Sequence, residues 1–221
     1  MTGGEPASVE LRRVYHDRIA ELKERAQVVV DCAMKCTETV THALLDQDRS
    51  AGEALEANPM SSVVAEIDTE AVDLLALQSP VARDLRLILA SRDVAQTALL
   101  CVGLCRAVDG RVGSAADVLT PDLAGQLEAV GGATSDLLRR AGAAWATLEP
   151  SEAVEVITGA EDARLLHLDL LASLIAVQQA PVEVAVKLGL AARAFERLTD
   201  HAVEIAERVL FVAGQPNRPD T

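Results

Sequence analysis

The chain has 221 residues and a formal net charge of −14; half of its residues are hydrophobic and only 2% are aromatic. Duplex nucleic acid and an anionic membrane surface are therefore poor partners, because both need a basic face that this composition lacks; a basic protein surface or a metal ion stays compatible. With Tyr15, Trp145, Phe195 and Phe211 the whole aromatic set, Ala, Leu and Val must fill the interior, which suits closely packed helices.

Met1-Thr-Gly-Gly-Glu-Pro6 has neither the basic nor the apolar region of a signal peptide. A first helix is expected from about Ser8 to Leu45. There Leu22, Ala26, Val29, Ala33, Cys36, Val40 and Leu44 recur at alternating spacings of three and four. The polar Asp46–Ser50 segment separates it from a second helix, in which Asn58-Pro59 marks a kink or restart because proline removes a backbone donor. Gln78-Ser79-Pro80 turns into a third helix, with Ser79 as N-cap and Pro80 at the first helical position. That helix ends near Ala107, before a glycine-rich linker at Asp109–Ser114. Thr120-Pro121, Glu149-Pro150 and Gln179-Ala180-Pro181 open helices four, five and six, and the Gly214–Thr221 tail reads as frayed. No run alternates as a strand would. No apolar stretch reaches the roughly 18–20 residues of a membrane span, since the best, Leu165–Val177, is broken by His167, Asp169 and Ser173. The chain reads as cytoplasmic and soluble.

Shifted by 101 residues, the chain is an imperfect copy of itself. Gln78-Ser-Pro-Val81 falls on Gln179-Ala-Pro-Val182, Asp68 on Asp169, Ala71 on Ala172 and Arg92 on Arg193. Eleven of 41 positions between Asp68 and Val108 are identical without a gap. A period this long duplicates a domain-sized unit and not a solenoid repeat. The expected architecture is all-α: two tandem, pseudo-symmetric, antiparallel three-helix bundles with two linked cores, over residues 8–109 and 115–213, followed by a disordered tail at 214–221.

The residues most able to carry chemistry lie on helix six. Glu196, Asp200 and Glu204 are spaced i, i+4, i+8, which puts three carboxylates near one face, with His201 beside them. Like charges at that spacing cost about 0.2–0.5 kcal/mol per pair. They are tolerated when solvated, when neutralised by Arg193, Arg197 or Arg208, or when bridged by a cation such as iron, manganese or magnesium. At a shift of 101 the first module has Ala95 and Leu99 in place of Glu196 and Asp200, so whatever this pair does is done once per chain. Cys32/Cys36 and Cys101/Cys105 form two i, i+4 pairs. Zinc pairs favour Cys-x-x-Cys in a turn, and these cysteines continue apolar stripes, so they read as small buried side chains. His16, His42 and His167 stand apart from the carboxylates in sequence and read as ordinary. There is no nucleophile elbow, P-loop or His-Glu-x-x-His helix, and no catalytic apparatus is expected.

Leu74-Leu-Ala-Leu-Gln-Ser-Pro-Val-Ala-Arg-Asp-Leu-Arg86 resembles a block of the PhoU family of phosphate-signalling proteins, and Glu196-Arg-Leu-Thr-Asp-His-Ala-Val-Glu-Ile-Ala206 resembles the family's Glu-Arg-x-x-Asp-His-Ala signature. Tyr15-His16 resembles the family's N-terminal start, and the likeness spans about residues 11–213. The resemblance implies a cytoplasmic, non-enzymatic accessory regulator. It would link a phosphate ABC transporter ATPase to a sensor histidine kinase and restrain phosphate uptake and the starvation response, as a homodimer, without nucleic acid and without inserting in a membrane. It also implies a metal motif that Glu196 and Asp200 match, with Glu204 and His201 close by. In the first module only Asp93 survives, so at most one iron, zinc or other divalent site is implied, in the second bundle. Two other readings stay open: a carboxylate-bridged metal-storage or oxidase bundle, and a structural oligomerisation bundle.

Overall fold

A computed structural model describes residues 5–46, 60–78, 80, 82–112, 119–176 and 182–215. Six helices account for nearly all of them: α1 (Glu5–Asp46), α2 (Met60–Gln78), α3 (Ala82–Val112), α4 (Pro121–Thr147), α5 (Pro150–Ala176) and α6 (Val182–Ala213). No strand occurs among the described residues.

Local chemistry sets several boundaries. Thr120 is in extended conformation and its hydroxyl accepts from the Leu123 N–H, with Pro121 in the first turn of α4. Leu148, left-handed at φ 57°, closes α4 by donating to the Ala144 carbonyl. Gly214, at φ 74°, closes α6, where the Gly214 and Gln215 N–H groups return to the Phe211 and Leu210 carbonyls. Two expectations need correction. Pro80 precedes α3, which starts at Ala82, and α3 runs on to Val112 through much of the expected linker. The Asn58-Pro59 break, the Ser79 cap, the rest of the linker (113–118) and the tail from 216 lie outside the described residues.

The heptad stripe of α1 is buried at every position from Leu22 to Leu44, and so are its counterparts 101 residues on, from Leu123 to Trp145 in α4. The same shift carries the buried face of α3 (Ala90, Val94, Cys101, Val102, Cys105, Val108) onto that of α6 (Ala191, Phe195, Ala202, Val203, Ala206, Val209). These four helices form the centre. α1 packs on α4 and α3 on α6, each against its own repeat mate, while α2 and α5 cover the outside. The buried apolar side chains of both modules join in one cluster. The two linked cores expected from the repeat are thus merged into one.

The α1–α4 seam shows the internal two-fold directly. A Cβ at Gly131 would overlap the Thr41 side chain, and a Cβ at Gly142 would stand 3.1 Å from Val30 Cγ1. Val30 and Thr41 are the repeat equivalents of Gly131 and Gly142, so the two close approaches are mates of each other. Small residues here let the helix axes come near, as self-complementary packing about a two-fold requires.

The outer helices break the symmetry. The core residues Val64, Ile67, Ala71 and Leu74 of α2 fall on Leu165, Leu168, Ala172 and Ile175 of α5, all exposed; Ile67 is fully buried and Leu168 is 61% exposed. The ungapped alignment therefore holds for the central helices and fails for α2 and α5, where a different face turns inward. Among the described residues the long apolar segment also lies on α3 and not on α5. Ala82–Val108 contains an 18-residue window of mean hydropathy 1.5 and could cross a membrane by length and composition. Its packing against α1, α2 and α6 is that of a core helix.

Gly131→Ala should lower stability by about 1–2 kcal/mol through overpacking against Thr41. Gly132→Ala, whose added Cβ meets nothing within 4 Å, should raise it by about 0.5–1 kcal/mol through helix propensity. Urea denaturation of the two variants checks the pair; equal effects would disprove the tight seam.

Candidate functional site

The acidic stripe of α6 lies where that helix meets α5. Glu196 and Asp200 are partly exposed, Glu204 is exposed and His201 is buried. Each carboxylate has its own partner. Glu196 pairs with Arg193 one turn back. Asp200 takes a hydrogen bond from Arg164 of α5 at 3.1 Å, and that guanidinium also reaches Glu161 at 3.6 Å. Glu204 Oε2 lies 2.9 Å from His201 Nδ1, while His201 Nε2 is buried with no hydrogen-bond partner among the described residues. Arg208, one of three expected neutralisers, turns instead to Asp93 of α3 at 3.5 Å. Arg197 reaches none of these carboxylates. Arginine thus answers most of the repulsion along the stripe, at part-exposed sites where each pair is worth about 0.2–1 kcal/mol.

His167, which reads as ordinary in the sequence, sits on α5, 29 residues from Glu196. Its ring is buried at the α5–α6 contact, and neither nitrogen has a hydrogen bond of good geometry among the described residues. Burial lowers its pKa below the ordinary value, and Glu196, the Ala163 carbonyl and Asp200 offset only part of that cost. A usable signal existed: Arg164 and His167 share one face of α5 at i, i+3. The other two histidines, His16 and His42, are exposed on α1.

The stripe does not fit a metal centre in this arrangement. Its carboxylates diverge toward arginines and a histidine, and among the described residues no three His, Cys, Asp or Glu side chains converge as ligands. The cysteines behave as small core residues and are free thiols. Cys32 and Cys36 Sγ atoms lie 3.9 Å apart, and Cys105 Sγ is 3.5 Å from Thr37 Oγ1. The Cys36 thiol is pushed up by its hydrogen bond to Cys32 and by burial, Cys101 by burial, and Cys105 by burial to about 11. None of these three is poised as a thiolate.

A family model described as "PhoU domain" matches residues 127–209. The chain is 30% identical over 208 residues to the phosphate-specific transport system accessory protein PhoU homolog 1 of Mycobacterium leprae, covering 92% of this chain and 94% of that protein. It is 29% identical over 210 residues to PhoU homolog 2 of Mycobacterium tuberculosis, covering 92% and 98%. The crystal structure of PhoU from Pseudomonas aeruginosa superposes with a TM-score of 0.85 at 19% identity, over 90% of this chain and 99% of that one. The phosphate transport system regulatory protein PhoU from Streptococcus pneumoniae superposes with a TM-score of 0.76 at 16% identity, over 90% and 96%. The likeness to these two structures is a likeness of fold.

The buried, neutral His167 gives a pH dependence. Because its folded pKa lies below the ordinary 6.5, the unfolded chain binds a proton that the folded chain refuses. Its contribution is present above about pH 6.5 and is lost as pH falls below that value. His167→Leu should flatten this acid-side loss and raise stability by about 1 kcal/mol, as read by urea midpoints across the pH range. An unchanged slope would mean that the ring is already satisfied.

Proposed function

The chain belongs to the PhoU family, and on that footing we propose that it is a cytoplasmic accessory regulator of phosphate transport. It holds down phosphate uptake and the phosphate-starvation response by contact, as an adaptor between a phosphate ABC transporter and a sensor histidine kinase. Association as a homodimer belongs to the same reading. What carries it is similarity along more than nine-tenths of the chain to accessory proteins of phosphate-specific transport. The chemistry agrees with that role. The stripe's carboxylates are held by arginines and a histidine, and the cysteines Cys36, Cys101 and Cys105 are buried with raised pKa values. Nothing in this set forms an activated nucleophile beside a base. The acidic surface suits a scaffold whose charges set the orientation and rate of encounter more than the affinity.

A second reading, a carboxylate-bridged metal bundle of the storage or oxidase kind, draws on one observation. The His167 ring nitrogens lack good hydrogen bonds beside Glu196 and Asp200. It would require both carboxylates to leave Arg193 and Arg164.

Deleting the gene should leave phosphate-starvation promoters active in phosphate-rich medium, as followed by a reporter fusion, and the intact gene supplied in trans should silence them. Unchanged repression would reject the regulatory role. Protein purified without chelators should carry well below one metal per chain by elemental analysis. A stoichiometric metal that disappears in the Glu196→Gln/Asp200→Asn variant would instead favour the second reading.

A further inference from the structure

The seam between α3 and α6 has two ends related by the internal two-fold, and they differ. The helices are antiparallel. At one end Arg208 of α6 reaches across to Asp93 of α3 at 3.5 Å, with Arg92 also 3.6 Å from Asp93. At the other end the equivalent positions are Ala107 and Ala194. The small pair leaves an open groove between the helices, floored by Ala107, Ala191 and Ala194 and walled by Leu104 and Leu190.

The rim of the groove is basic in a chain of net charge −14. Arg193 and Arg197 line it from α6. Arg193 already holds Glu196, whereas Arg197 is exposed and has no ion-pair or hydrogen-bond partner among the described residues. The apolar strip also runs beyond the groove. Val186 and Leu190, one turn apart on α6, are both exposed, and so is Leu100 on α3, one turn before Leu104. At this end of the seam, exposed apolar side chains are bordered by guanidinium groups.

We infer that this end of the α3–α6 seam is a docking groove for an acidic amphipathic helix of a partner protein. Its apolar face lies on Leu104, Leu190 and the alanine floor, and a carboxylate meets Arg197. A groove between two antiparallel helices accepts a third helix by the ridge-and-groove packing that built the bundle. From Val186 to Arg197 the strip is about 17 Å long at 1.5 Å per residue, which corresponds to roughly three turns of the incoming helix. The opposite end of the seam cannot accept one, because the Asp93–Arg208 pair occupies the same place.

The internal symmetry supplies its own control. Ala107→Arg together with Ala194→Asp copies the ion pair of the closed end into the open one. The probe is a fluorescent helical peptide of four turns carrying leucines at i, i+3, i+4 and i+7 and glutamates on its flanks; a twin carries lysine for glutamate. Anisotropy titrations of the full chain should show saturable binding of the acidic peptide and at least tenfold weaker binding of the twin. The double variant should lose at least tenfold in affinity while keeping its melting temperature. Arg197→Glu, which leaves the groove open, should weaken the acidic peptide and strengthen the lysine twin. Absence of saturable binding, equal binding of the two peptides, or binding unchanged in the double variant would overturn the inference. So would a dimer in sedimentation that dissociates in the double variant, since the occupant would then be a second copy of the chain.

Discussion

The approach of α1 to α4 at Gly131 and Gly142 is the contact on which the rest of the molecule depends. A side chain at Gly131 would meet Thr41, and one at Gly142 would press on Val30. With only hydrogen atoms there, the two helices come close enough for their heptad stripes to share one interior. α3 and α6 are then brought together on the same terms, and alanines, cysteines and valines complete the seam. A chain with so few aromatic residues has little bulk with which to fill a gap, so close backbone approach takes the place of large side chains.

Each central helix packs on its repeat mate, so the two-fold is imposed at those seams. α2 and α5 touch only their own modules among the larger contacts, and their faces have been free to diverge. The result on α5 is an apolar row, Leu165, Leu168 and Ile175, that faces outward where α2 turns its equivalents inward. Divergence also separates the chemistry of the two halves. Where the first module buries Ala95, the second carries Glu196, and Asp200 replaces Leu99; these carboxylates hold arginines both from their own helix and from α5. The ion pairs are local and partly solvated, so they orient the surface more than they stabilise the fold.

The same logic explains the unequal ends of the α3–α6 seam. A duplicated surface begins with two identical ends, and single substitutions at paired positions then close one or open the other. Ion pairing between Asp93 and Arg208 closes the first end, and paired alanines leave the second open between arginines. Departures from the internal symmetry are what make one face of this scaffold differ from the other.

Much of this was legible in the residues. The spacing of Leu22 through Leu44, the Thr120-Pro121 cap and the shift of 101 residues specified helices, buried faces and a doubled unit, because periodicity and capping are local properties of a chain. Which helix each face meets was not legible. Merging into one core, the altered register of α5, the burial of His167 and the capture of Asp200 by Arg164 all depend on partners distant in sequence. A hydrophobic stripe states that a face is buried but not against what, and a carboxylate row states that charge must be balanced but not by which arginine. Those choices were made by how closely the helices could approach, and only their packing in three dimensions settled them.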